Sequence, residues 1–263
     1  MVRLSLVLMT LLAMPACRDR RPAARSCSPE PAPSAQARAH RKYALIINGD
    51  IERRHKINAL NAWRTLRALG FPAENIFVLT APDRRVHLPQ ELLRFRPAVS
   101  GYETAFDKVA SAAAAGDIVV IYGTGHGDTS EEGESFLELG GGELWAYDLR
   151  DDVECLRSDN VVIMDQCFSG GFIDAFDGAR SRSIVISTVD AKHPTECSYF
   201  ANAFWGAFLH PEMADANRDG KTSVREAFDV AIAVHRDALQ GDPELRTNGS
   251  CRSFNGLDDL LLN

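Results

Sequence analysis

From residue 43 onward, short apolar runs alternate with longer stretches whose apolar residues recur at helical spacing. The runs Tyr43–Asn48, Ile76–Leu79, Asp117–Tyr122, Asn160–Met164 and Ser183–Thr188 read as strands. They are continuously apolar, as strands buried on both faces are. Asn58–Leu69 carries Leu60, Trp63, Leu66 and Leu69 on one helical face and stops at Gly70. Tyr102–Ala115, closed by Gly116, and Tyr199–Leu209 and Val224–Leu239 read as three further helices. Gly256–Leu262 reads as a last strand or a packed terminal segment. No repeat period is present. Strands alternating with helices predict one α/β domain over 43–263. Its sheet should be mostly parallel, flanked by helices on both faces.

The first 42 residues break this pattern. Met1–Ala16 has Arg3 followed by an apolar stretch too short for a permanent membrane helix, which predicts a secretion signal. Small Ala16 precedes Cys17, as in a bacterial lipoprotein signal whose cysteine is acylated. That predicts membrane attachment through Cys17 in the bacterial cell envelope. Plain cleavage would give a periplasmic or extracellular product. Residues 17–42, with Pro22, Pro29, Pro31 and Pro33 among Ala and Arg, read as a tether. The stretch 18–42 carries seven Lys or Arg against Asp19 and Glu30, while the whole chain is at −7. An acidic body on a basic stalk argues against nucleic acid as a partner.

In parallel α/β sheets, chemistry collects beyond the carboxyl ends of the strands. The third strand runs into Gly123-Thr124-Gly125-His126-Gly127, and the fourth into Asp165-Gln166-Cys167-Phe168-Ser169-Gly170-Gly171. A thiol beside an imidazole is the minimum for nucleophilic acyl transfer, because an unassisted cysteine is only slightly ionised at neutral pH. Glycine next to His126 lets a substrate backbone approach and frees an N–H for an oxyanion. The other histidines (His40, His55, His87, His193, His210, His235) lack this setting. There is no GxSxG elbow, HExxH or CxxC.

An apolar strand ending in GHG, followed by one ending in DQCFSGG, resembles the caspase–hemoglobinase class of cysteine peptidases, nearest the legumain type. YALIINGDIERRHKINALNAWRTLRALGFPAENIFVL resembles the legumain start, with Arg54-His55 on its Arg-His pair, and Glu196-Cys197-Ser198-Tyr199 resembles a later Glu-Ser-Ser-Tyr segment. The resemblance covers roughly residues 43–209. It implies a caspase-like fold and an endopeptidase acting on peptide or protein substrates. His126 would be the base and Cys167 the nucleophile, with the N–H groups of Gly127 and Cys167 as oxyanion donors. It places Arg54, Asp165, Cys197 and Ser198 at the substrate. Arg54 with Asp165 would take Asn or Asp at P1. Asp165 alone would favour Arg or Lys. Two positions depart from the family: Glu52 replaces an Asn that orients the histidine, and Cys197 replaces a pocket Ser. A transpeptidase of the same class and a calcium-bound surface interaction protein with an inactive site are the alternative functions.

Asp215–Glu226 fits the twelve-residue EF-hand loop. Asp215, Asn217 and Asp219 fall at positions one, three and five, and Gly220 at the turn. Lys221 offers its carbonyl at seven, Ser223 stands at nine, and Glu226 is bidentate at twelve. These hard oxygen ligands predict calcium in a structural role. With Cys17 and Cys167 assigned, Cys27, Cys155, Cys197 and Cys251 are left, with three possible pairings.

Overall fold

The computed structural model describes residues 40–82, 86–195, 197–239 and 248–263, with the side chains of Cys197 and Ser198 outside the description. The signal, Cys17, Cys27 and nearly all of the tether also lie outside the described residues. No described helix is long and apolar enough to cross a membrane.

In chain order the elements are β1 (Lys42–Asn48), α1 (Arg53–Ala68), β2 (Ile76–Leu79), β3 (Leu93–Phe95), α2 (Val99–Ala112), β4 (Ile118–Thr124), β5 (Gly127–Thr129), β6 (Ser135–Leu139), β7 (Gly142–Trp145) and α3 (Ala146–Glu154). They continue as β8 (Asp159–Asp165), α4 (Gly170–Ala175), β9 (Ser183–Ser187), α5 (Cys197–Ala207), α6 (Pro211–Ala214), α7 (Val224–Ala238) and β10 (Cys251–Phe254). Seven strands form one sheet in the order β10-β9-β8-β4-β1-β2-β3. Every neighbour in it is parallel except β10, which runs antiparallel to β9. The expected α/β class, a mostly parallel sheet between helices, is the one observed.

The strands are buried on both sides because alternate residues feed two cores. Ala44, Ile46, Val120, Tyr122, Val161 and Ile163 pack under α1, α5 and α7. Tyr43, Leu45, Val119, Ile121, Val162 and Met164 face α2, α3 and α4. The chain runs from β1 outward to β2 and β3, then returns through α2 to β4 on the other side of β1. That reversal opens a crevice beyond the carboxyl ends of β1 and β4.

The structure departs from the sequence expectation in several places. α1 starts five residues early, because its first turn buries His55 and Lys56, which an apolar pattern does not count. The stretch 127–145 forms a three-stranded antiparallel sheet, β5-β6-β7, whose Leu137, Leu139 and Leu144 close the second core. α3 and α4 are too short to declare a period. The last strand lies at Cys251–Phe254, and 256–262 takes the other of its two readings, packing as a terminal segment through Leu257 and Leu262. Of the latter stretch only Leu261 pairs, with Ser223.

Candidate active site

The β4–β8 register sets Thr124 opposite Asp165. His126 and Cys167 therefore each stand two residues beyond a matched pair. Gly127 is the residue that lets these two strand exits close together. A Cβ there would lie 2.4 Å from Gln166 Cγ and 2.9 Å from the Cys167 carbonyl oxygen. Only a residue without a side chain fits.

The loop after β1 supplies the partners of His126. Its Nε2 lies 2.9 Å from Asp50 Oδ2 and 3.4 Å from Glu52 Oε1. The imidazole is 46% exposed, whereas Asp50 is 9% exposed. Asp50 is fixed from both sides in sequence: its N–H donates to Asn48 Oδ1 at 3.0 Å, and its Oδ1 accepts from Glu52 N at 2.8 Å. Oδ2 accepts no hydrogen bond. His126 Nε2 and Asp50 Oδ2 thus meet at close range without a hydrogen bond between them.

His55, set aside in the sequence reading, belongs to this corner. It is fully buried on the first turn of α1, with its ring 5.7 Å from that of His126 in an edge arrangement. Its Nδ1 bonds Thr124 Oγ1 at 2.9 Å, and its Nε2 lies 3.8 Å from Asp50 Oδ2 without a hydrogen bond. Burial, with the nearby Arg54 cation, pulls the His55 pKa down to about 4, so the ring is neutral at physiological pH. Asp50, Glu52, His55 and His126 each offer one ligand atom, and these atoms all lie within 4.8 Å of one another. The sequence signal for Asp50 and Glu52 was their place just beyond the apolar β1 run, at the same sheet edge as His126.

Cys167 keeps its thiol. Thr195 brackets it: the Thr195 N–H donates to Sγ at 3.4 Å, and Sγ donates to the Thr195 carbonyl at 3.6 Å. Phe168 follows with φ at 58°, the left-handed region that a bulky residue avoids. Such a conformation costs about 1–3 kcal/mol and persists only where the surroundings enforce it. Here Phe168 N–H donates to the His193 carbonyl at 3.0 Å, and its own carbonyl accepts from Ser135 Oγ at 2.8 Å. The strained turn fixes the exit angle of the chain at Cys167.

One expected substrate contact is placed differently from the sequence reading. Asp165 does not line an open pocket. It is wholly buried, and its Oδ2 accepts from Tyr122 OH at 2.9 Å. Burial pushes its pKa well above the usual carboxylate range, against the pull of Tyr122 and Arg54. Its burial favours the protonated form, and the group lies beneath the site. Arg54 keeps a third of its side chain exposed, and its Nε donates to Glu52 Oε2 at 2.8 Å. Cys197 opens α5, but its side chain and that of Ser198 lie outside the described residues.

The predicted calcium ligands share one loop between α6 and α7. Asp215 accepts from Asp219 N and Gly220 N at 3.0 and 2.7 Å. Asn217 Oδ1 accepts from Asp219 N at 2.9 Å, and Asp219 Oδ1 from Lys221 N at 2.9 Å. Glu226 accepts from the backbone of Ala216, Asn217 and Ser223 at 2.9–3.1 Å, which holds its carboxyl below the usual range. Ser223 and Glu226 also form a capping box on α7. Gly220 supplies the turn with φ at 85°. Among the remaining cysteines, Cys155 is disulfide-bonded and Cys251 is free, so none of the three expected full pairings is formed.

A cavity of about 250 Å³, lined by Leu156, Ser158, Arg180 and Ser181 among others, lies at the opposite, amino ends of β8 and β9. It is separate from these groups.

No protein-family model matches the chain, and no curated protein matches it. Among solved structures, the crystal structure of protein GSU0716 from Geobacter sulfurreducens is similar in fold. Its TM-score is 0.53 at 13% identity, over 81% of this chain and 92% of that one.

Proposed function

We propose that the chain is a cysteine endopeptidase of the caspase–hemoglobinase class, nearest the legumain type, exported from the cytoplasm by its leader. One observation carries this reading: His126 and Cys167 stand at equal distances beyond the paired Thr124 and Asp165, with a glycine between them that admits no side chain. Nε2 of His126 is held by Asp50 and Glu52, which leaves Nδ1 as the nitrogen that exchanges a proton with the thiol. In the proposed reaction the imidazole takes the Cys167 proton and the thiolate attacks the scissile carbonyl. The N–H groups of Gly127 and Cys167 receive the oxyanion, His126 returns its proton to the leaving amine, and water hydrolyses the thioester. Asp50 and Glu52 stabilise the imidazolium that forms, a task the family gives to a neutral Asn near this point.

The burial of Asp165 supports Asn or Asp over Arg or Lys at P1, since a wholly buried carboxyl bonded to Tyr122 is out of reach of a basic side chain. Arg54 remains at the surface to meet a carbonyl or carboxylate. The loop 215–226 would hold calcium through Asp215, Asn217, Asp219, the Lys221 carbonyl, Ser223 and Glu226, tying α6 to α7. Its donor set of hard oxygens and its Gly220 turn fit that ion.

The test is digestion of a mixed peptide library by the mature chain beside Cys167→Ala, with cut sites read by mass spectrometry. Cuts after Asn or Asp that fall at least about a thousandfold in the variant are expected. Turnover that survives the substitution overturns the reading. Cuts after Arg or Lys would overturn the P1 assignment alone, and joined products with added amine would make the enzyme a transpeptidase.

A further inference from the structure

We propose that Asp50, Glu52, His55 and His126 form a binding site for a divalent cation of the zinc class, and that filling it switches the His126–Cys167 pair off. Four nitrogen and oxygen ligands within 4.8 Å of one another are the number and type that zinc takes. Bonds of about 2.0–2.2 Å in a tetrahedron set ligands roughly 3.3 Å apart. Three of the six pairs lie at 2.9, 3.4 and 3.8 Å and the rest within 4.8 Å, so side-chain shifts of about 1.5 Å or less close the polyhedron.

The cluster is more than a gathering of acids. His55 is wholly buried, and its Nε2 faces Asp50 with no hydrogen bond. Asp50 Oδ2 is likewise buried and accepts none. An unsatisfied buried polar atom costs about 1–3 kcal/mol, and two of them aimed at one point are explained by a shared cation. Metal-bound histidines usually donate their other ring N–H to an oxygen, which fixes the tautomer. Thr124 Oγ1 stands 2.9 Å from His55 Nδ1, where it does this. In that tautomer Nε2 turns a lone pair into the cluster. Thr124 also ends β4, two residues before His126, so one strand end orients both rings. Glu52 is exposed on the solvent side and can close over the ion last.

The consequence for chemistry follows from the imidazole itself; this part rests on the peptidase reading above. A ring that gives its Nε2 lone pair to a metal carries its proton on Nδ1. It then has no lone pair for the thiol proton. Cys167 stays a thiol, and no bond to substrate forms until the metal leaves. The site therefore lies at the catalytic base without using the nucleophile as a ligand.

Binding is measured on the Cys167→Ala chain by zinc titration calorimetry, which needs no activity. One zinc per chain is expected, at least tenfold weaker in Asp50→Asn and in Glu52→Gln, and unchanged in Glu226→Gln. Because Glu52 is exposed, its variant folds even if Asp50→Asn does not. Absence of binding, or binding equal in Glu52→Gln and the parent, overturns the site. In the active chain, zinc should abolish hydrolysis at the concentration where it binds, and a chelator should restore it. Binding with hydrolysis untouched overturns the switch. A metal-free chain that cuts no peptide would count against the peptidase reading, while the calorimetry still decides the site.

Discussion

In the loop 215–226, both carboxylate oxygens of Asp215 and of Glu226 accept backbone N–H groups. In the corner beyond β1 and β4, Asp50 Oδ2 and His55 Nε2 accept none. Both are turns rich in acidic residues at the ends of regular elements. The loop holds its carboxylates with its own backbone, so the proposed calcium ligands are set in place by the fold itself. The corner carries buried polar atoms whose partners the chain does not provide. Both can take an ion, but only the second leaves buried polar atoms unpaired until a proton, a substrate or an ion arrives.

The comparison is broken most severely at Asp50. Asp50→Asn keeps the shape of the corner and removes the charge on His126. We expect kcat/KM to fall on the order of a hundredfold or more, with folding retained, as for triad carboxylates elsewhere. A kcat-against-KM split separates this from a structural defect: the loss should fall on kcat, with the melting temperature unchanged. An unchanged kcat would place Asp50 outside the catalytic machinery.

A smaller effect comes from His235, on α7, which connects the two regions. Its Nε2 bonds Thr195 Oγ1 at 2.8 Å, and Thr195 brackets Cys167. Burial lowers its pKa from 6.5 to about 4. The unfolded chain therefore binds the extra proton first as pH falls. The stabilisation is complete above pH 6.5, declines between 6.5 and about 4, and stays lost below. A shift of this size is worth on the order of 3 kcal/mol. Urea midpoints across that range should fall for the parent and fall less for His235→Gln.

Next is the capping box. Ser223→Ala should cost about 1 kcal/mol, read as a lower melting temperature, because Glu226 N–H loses its acceptor. Glu226 adds a second window of the same sign at more acidic pH than that of His235. Its lowered pKa gives stability above its unfolded value of about 4.5, lost as pH drops through the folded one. Glu226→Gln should flatten the acid end alone. The smallest effect is chemical. Burial pushes the Cys251 thiol up to about 12, so native Cys251 should resist iodoacetamide at pH 8 while Cys167 is alkylated. Equal labelling would mean that β10 opens.

The sheet and its strand ends were legible because five apolar runs had no other reading, and His126 and Cys167 followed from the rule about carboxyl ends. The rest of the corner was not. His55 looked like one of several unplaced histidines, since nothing local marks a polar residue that a helix will bury in its first turn. Asp50 lies just past the apolar β1 run, and nothing local marks it. Asp165 read as a pocket residue because its depth depends on Tyr122, from the neighbouring strand, reaching across to bond it. The β5–β7 sheet was missed because strands of three to five residues give too few alternations to count. What escaped in each case was set by contacts distant in sequence.

The outer strands of the main sheet are β3, of three residues, and β10, of four and antiparallel, whereas β1, β4 and β8 inside it have seven. An edge that brief offers another chain few free amide and carbonyl groups to zip onto. A sheet of long, wholly apolar strands would otherwise be a template for fibrils. By tapering at its margins, the fold keeps its stickiest sequence inside and guards colloidal solubility without spending surface charge.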